Sequence, residues 1–94
     1  MRLLGRSKID EFKRKHSSSR KSLDNWVKAI EGCKANNFVE LKKTFNSADQ
    51  VGSKTVFNAG GNKFRVIVIT VYILGQATVT HVLTHEDYNK GKWK

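Results

Sequence analysis

Three side chains in the C-terminal third of the chain are suited to chemistry on a phosphodiester: Arg65, His85 and Tyr88. Arg65 stands one residue into an apolar, β-branched run from Phe64 to Ile73, where a charge is costly unless it has a partner or a task. Strand alternation puts it on the face of Ile67, Ile69 and Val71, and its planar fork matches a phosphate. The competing expectation is an ion pair with Asp49 or Glu86. His85 and Tyr88 are three residues apart, so a helical turn would aim both the same way. Imidazole serves as base or acid near neutral pH; a phenol donates a proton or stacks on a base. As purely structural groups, His85 would cap the strand end and Tyr88 would cover the sheet edge. Together the three fit RNA cleavage in which the substrate's own 2′-OH attacks. That reaction needs a proton removed, phosphorane charge stabilised and the leaving 5′ oxygen protonated.

Other cations supply phosphate contacts. Lys63 and Asn62 adjoin Gly60-Gly61, and Lys42 and Lys43 follow Leu41. Lys13, Arg14, Lys15, Arg20 and Lys21 form a cluster with His16 and no acid between them; such a cluster grips phosphates without reading bases. His81 shares a face with Leu83 and reads as a half-buried structural residue, and Trp26 reads as core. Trp93 is open between stacking on RNA and covering the sheet edge. Only Glu86 and Asp87 among the acids adjoin a histidine, and no His-x-x-x-His or paired-cysteine spacing exists, so neither metal nor cofactor is expected.

The composition agrees. Eighteen Lys and Arg against eight Asp and Glu give a net charge of +10 in 94 residues, which points to a polyanion. The single cysteine, Cys33, offers no disulfide, and it reads as a helix-end hydrophobe. The longest apolar run, Val66 to Leu74, is too short to cross a bilayer, and the N-terminus lacks a secretory pattern. One domain over residues 1–94, working in a bacterial cytoplasm away from the membrane, is the expectation.

The elements that must position these groups follow from periodicity. Arg2–Leu4 reads as a short strand. Ser7 is the expected cap of a first helix ending near His16, with Asp10 and Glu11 in its first turn. One of Ser17, Ser18 and Ser19 is expected to cap a second helix, whose stripe Leu23, Trp26, Val27, Ile30 obeys the i, i+3, i+4, i+7 rule. Gly32 and Asn36-Asn37 mark its end, and Phe38, Leu41 and Phe45 suggest a third short helical piece. After Lys54 the pattern is strands: one through Thr55-Val56-Phe57, a turn at Gly60-Gly61-Asn62, a central strand covered on both faces from Phe64 to Ile73, and a last strand from Ala77 to Thr84. The expected class is α+β: a small antiparallel-rich sheet in the order β-α-α-β-β-β, with two N-terminal helices packed on one face.

Three segments resemble HigB-type toxins of the RelE/ParE superfamily. Lys42–Gly52 is similar to their connector, Val56–Val66 to their central hairpin, and Thr84-His85-Glu86-Asp87-Tyr88 to their closing motif. The segments stand in family order and spacing. Asn46 replaces a frequent proline, and Asp87 a frequent glutamate. The resemblance implies a RelE-like fold and the toxin of a type II toxin–antitoxin system: a metal-independent endoribonuclease that cuts messenger RNA, typically on the translating ribosome. It also implies a HigA-type helix-turn-helix antitoxin as partner, with operator DNA reached only through that antitoxin. An acidic groove on the antitoxin would complement the basic face. A non-catalytic RNA- or ribosome-binding module and a gyrase-poisoning ParE-like toxin are the alternatives.

Overall fold

A computed structural model describes residues 1–94. Strand β1 (Arg2–Leu4) leads through Gly5 into helix α1 (Arg6–Lys15); a 3-10 turn (Ser17–Ser19) joins it to α2 (Arg20–Gly32), and α3 (Phe38–Thr44) follows. Strands β2 (Asp49–Val51), β3 (Lys54–Ala59), β4 (Phe64–Val71) and β5 (Gln76–Thr84) complete the sheet, and α4 (His85–Asn89) closes the chain. The strand order is β1-β5-β4-β3-β2. All pairs are antiparallel except β1 with β5, which is parallel.

The α+β class and the helix-covered face agree with the sequence expectation. Two elements are additional: edge strand β2, which pairs with β3, and helix α4. The central strand is also shorter than expected. It ends at Val71, and Tyr72–Leu74 form a 3-10 turn with Ile73 almost wholly exposed.

The helices cover one face of the sheet. Leu23, Trp26, Val27 and Ile30 of α2 and Ile9 of α1 pack with Phe57, Val66, Val68, Ala77 and Val79. On the opposite face Val56, Ile67 and Trp93 form a smaller cluster, joined by Val51, Leu83 and Tyr88. Strand alternation explains the division, because Val66 and Val68 point one way and Arg65 and Ile67 the other. Trp93 therefore covers the sheet, and its indole N–H donates to the Tyr88 carbonyl at 3.0 Å. Lys54 Nζ donates to the Trp93 carbonyl at 2.6 Å, which fastens the tail across this face. Farther along β4, Ile69 and Val71 are exposed, so only the first half of the strand is covered on both sides.

The helix caps differ from expectation. Helix α1 starts at Arg6 behind Gly5, so Ser7 is not its cap, and Asp10 and Glu11 fall beyond the first turn. The cause is the sheet: β1 must pair with β5 up to Leu4↔Thr78, and the chain then turns sharply. Gly5 has φ +78°, and a Cβ there would lie 2.7 Å from the Val79 carbonyl oxygen. Both the left-handed conformation and the backbone contact oppose any side chain. Gly5→Ala is expected to cost about 2 kcal/mol or more, read as a lower urea midpoint. Ser19 precedes α2 but does not cap it; its hydroxyl donates to the His16 carbonyl at 2.6 Å. Asn37 is more than a frayed end, for its side chain accepts from the Glu40 N–H at 2.9 Å and caps α3.

Candidate active site

The second sheet face carries the candidate chemistry at the end where β4 begins and β5 stops. In the ladder Arg65 lies opposite Leu83 and Phe64 opposite Thr84. His85 therefore leaves β5 beside the Gly60–Lys63 turn, and its N–H donates to the Lys63 carbonyl at 2.9 Å. Thr84 turns the strand into a helix, accepting at Oγ1 from the Asp87 N–H at 3.1 Å. The cap is thus Thr84, and His85 is left free. The turn it opens brings Tyr88 under the guanidinium.

Arg65 is buried, with 6% of its surface exposed, yet no carboxylate lies within ion-pairing distance. Asp49 and Glu86, its candidate partners from sequence, do not reach it. Its NH1 group donates to the Phe64 carbonyl at 3.2 Å. Its NH2 group donates to Asn62 Oδ1 and lies 2.9 Å from His85 Nδ1. The guanidinium carbon sits 5.3 Å from the centre of the Tyr88 ring, close enough for a cation–π contact. Tyr88 in turn stacks on Trp93, with centroids 5.0 Å apart and planes 12° from parallel. The structure thus brings Arg65, His85 and Tyr88 into one cluster and adds Asn62 as the group that orients the arginine.

These contacts define a tautomer. A guanidinium only donates, so His85 Nδ1 must accept. The neutral ring then carries its proton on Nε2. The Asn89 carboxamide lies 3.2 Å from Nε2, and its oxygen is the end that suits that N–H. Asn89 is the site residue that sequence reasoning missed; its i+4 spacing from His85 was the available signal.

The other predicted contacts divide. Lys63 is exposed beside His85. The basic helix ends flank the same end of the sheet: Phe12 packs edge-on against Phe64 at 5.6 Å and stacks on His16, and a Cβ on Gly60 would lie 2.8 Å from Ser22 Oγ. Arg14, Arg20 and Lys21 are exposed on these helix ends, and the helices pack on the sheet face opposite Arg65. Lys13 is already paired, donating to Asp24 at 2.7 Å; this bond holds the Asp24 carboxyl below its ordinary range. Lys43 lies beside Cys33, Lys34 and Ala35, at the far end of α2 from Ser22. Lys42 shares that short helix, so the structure does not bring this pair to the site.

His81 is half-buried on the Arg65 face, as expected, opposite Ile67. Burial, followed by the charges of Lys54 and Lys8, lowers its pKa below the ordinary 6.5. Between that lowered value and 6.5 the unfolded chain binds more protons than the native one, so stability rises with pH. The contribution is complete above 6.5 and is lost as pH falls through the native value. The urea midpoint is therefore expected to drop between pH 7.5 and 5.5, and His81→Gln should flatten that drop.

The α+β fold, with helices on one sheet face and a cation, an imidazole and a phenol gathered on the other, is that of the RelE-like class. A family model, HigB_toxin, described as the RelE-like toxic component of a toxin-antitoxin system, matches residues 19–91. The match spans most of the chain, and the chain belongs to that family. Membership implies an antitoxin as partner. No curated protein sequence matches the chain. No helix is long and apolar enough to cross a membrane.

Proposed function

We propose that this toxin is a metal-independent endoribonuclease that cuts messenger RNA on the translating ribosome and is held inactive by a HigA-type helix-turn-helix antitoxin. The observation that carries the proposal is the buried Arg65 guanidinium, which touches only neutral acceptors and an aromatic face. A buried cation without a counter-charge is unfavourable, and a substrate phosphate supplies the missing anion in the geometry that arginine prefers. Three of its five N–H donors are used within the protein, which leaves two for phosphate oxygens.

The chemistry follows from the same contacts. A phosphate drawn in by the two free donors of Arg65 brings anionic oxygens that are stronger acceptors than neutral His85 Nδ1, and one of them takes over the NH2 donor that His85 holds. The freed Nδ1 lone pair then takes the proton of the adjacent 2′-OH as that oxygen attacks phosphorus. Arg65 balances the charge that grows on the phosphorane. The bond from phosphorus to the 5′ oxygen breaks, and Tyr88 donates the proton that the leaving oxygen needs. Lys63 holds a neighbouring phosphate beside His85, and Arg14, Arg20 and Lys21 hold more distant ones where the RNA passes the end of the sheet towards the helix face.

End chemistry tests this sequence of events. Attack by the 2′-OH leaves a 2′,3′-cyclic phosphate and a 5′-hydroxyl, and these ends are expected on messenger RNA cut after induction of the toxin. The catalytic groups all belong to the toxin, so cutting of ribosome-free RNA is expected to be slower than on the ribosome and to persist in chelator. Ends bearing a 5′-phosphate would overturn the mechanism. Bound but intact RNA would favour a non-catalytic module, and broken DNA would favour gyrase poisoning.

A further inference from the structure

Beside Trp93 the second sheet face holds a groove of about 230 Å³, lined by His81, Leu83, Asp87, Lys90, Lys92 and Trp93. Leu83 is paired with Arg65, and His81 lies two residues farther along β5. That step is about 7 Å along a strand, within the reach of one nucleotide from a phosphate held at Arg65. The groove is thus a neighbour of the scissile position and no part of it.

Beside its two lysines the groove offers two acceptors, from His81 and Asp87. The ladder between β4 and β5 slips from Ile67↔His81 to Val68↔Val79, which leaves Thr80 as the extra residue of a bulge. Bulges of this kind re-aim a side chain. Thr80 Oγ1 donates its only proton to the Ile67 carbonyl at 3.2 Å. The 3.1 Å contact between His81 Nδ1 and Thr80 Oγ1 therefore requires Nδ1 to be the donor. The neutral His81 ring presents Nε2 as a bare acceptor. Asp87 adds a carboxylate, whose ion pair with Lys90 is long, at 3.7 Å, and solvent-exposed on both sides. Such a pair holds its partners weakly, so both carboxylate oxygens are available. Leu83 and Trp93 supply apolar walls, and Lys92 and Lys90 supply cations for the backbone.

We propose that this groove is a nucleobase subsite for the nucleotide next to the scissile phosphate, and that its paired acceptors, Asp87 and His81 Nε2, select guanine. The proposal rests on the nuclease reading above. Only guanine offers a ring N–H and an amino group side by side on its Watson–Crick edge, which a carboxylate takes in bidentate fashion. Adenine and cytosine each place an amino group next to a ring acceptor, which the carboxylate repels, and uracil has a single ring N–H. The lowered His81 pKa is consistent with this, since it favours the neutral ring that accepts.

The test titrates the four 5′-mononucleotides into the full-length protein and follows the His81 imidazole and Trp93 indole signals by NMR. GMP is expected to move both and to bind about tenfold more tightly than AMP, CMP or UMP, the usual value of one bidentate pair. Asp87→Asn should erase that advantage; Asp87 is exposed and its cap is made through its backbone N–H, so the fold is retained. Equal binding of all four, or signals that do not move, would overturn the subsite. Guanine-selective binding by a protein that leaves every RNA intact would remove the nuclease reading and leave a nucleotide-binding groove. RNA cut with no preference for an adjacent guanine would remove the subsite and leave the nuclease.

Discussion

Arg65→Met is expected to reduce RNA cleavage about a thousandfold, the scale on which a preorganised charge at a developing oxyanion acts, without lowering the thermal midpoint. The two halves of this expectation have one cause. Arg65 is buried with no carboxylate near it, so in the free protein its charge is a cost. Methionine keeps the length and apolar stem over Tyr88 and removes that cost. Asn62 and His85 lose a donor, but both reach solvent and can bond water. An arginine retained for packing would show the opposite pattern: a lower midpoint with cleavage unchanged. Arg65→Lys separates charge from shape. A lysine is a point charge that cannot bond Asn62, the Phe64 carbonyl and a phosphate at once, so it should recover only a small part of the lost rate. Cleavage of a defined messenger RNA by purified protein, together with thermal unfolding of the same samples, measures both. A variant that cuts at the wild-type rate would remove Arg65 from the site.

Much of this arrangement was legible in the sequence, and the exceptions have physical reasons. The stripe Leu23, Trp26, Val27, Ile30 and the glycine turn before Lys63 are local patterns, and each fixes its element without help. Arg65 was legible because a charge in an apolar strand breaks the pattern around it. The pairing that unites Arg65 with His85 was not, because it depends on the β4–β5 register and on Thr84 turning the chain at the right residue. Edge strand β2 has three residues, too few for a period to show; β1 could be read from Arg2-Leu3-Leu4 before Gly5, but its parallel pairing with β5 is non-local and leaves no mark in the sequence. Ser7 has the chemistry of a cap, but the β1–β5 pairing forces the turn at Gly5 and starts the helix ahead of it. Trp93 could not be assigned because its burial comes from Val56 and Ile67, far from it in sequence. Exposed lysines carry no positional signal of their own; Lys42 and Lys43 were nominated by type and connector, and the fold takes them to the far end of α2.

His85→Ala is expected to lower cleavage by a hundredfold to ten-thousandfold, the range supplied by a positioned general base, and added imidazole should restore part of the rate. The contact between Arg65 and His85 Nδ1 makes this variant informative. While the guanidinium donates to Nδ1 at 2.9 Å, that lone pair cannot accept a proton from substrate. A phosphate that takes over the guanidinium both fixes the substrate and releases the base beside it, so activation follows from binding and needs no loop movement. Alanine removes the base and leaves the guanidinium to bind phosphate, so kcat should fall far more than KM changes. The space vacated by the ring, between Arg65 and Asn89, is where free imidazole would act. Asn89→Ala gives a graded counterpart. It leaves the ring in place but removes the group at Nε2, so the ring is less firmly oriented and the loss should be nearer tenfold to a hundredfold, the scale seen for partners that orient metal-bound histidines. If His85 merely ended the strand, alanine would be tolerated, imidazole would do nothing, and Asn89→Ala would be silent. A His85→Ala protein that cuts messenger RNA at the wild-type rate would transfer the base to another group, and Tyr88, already under the same guanidinium, would be the next residue to change.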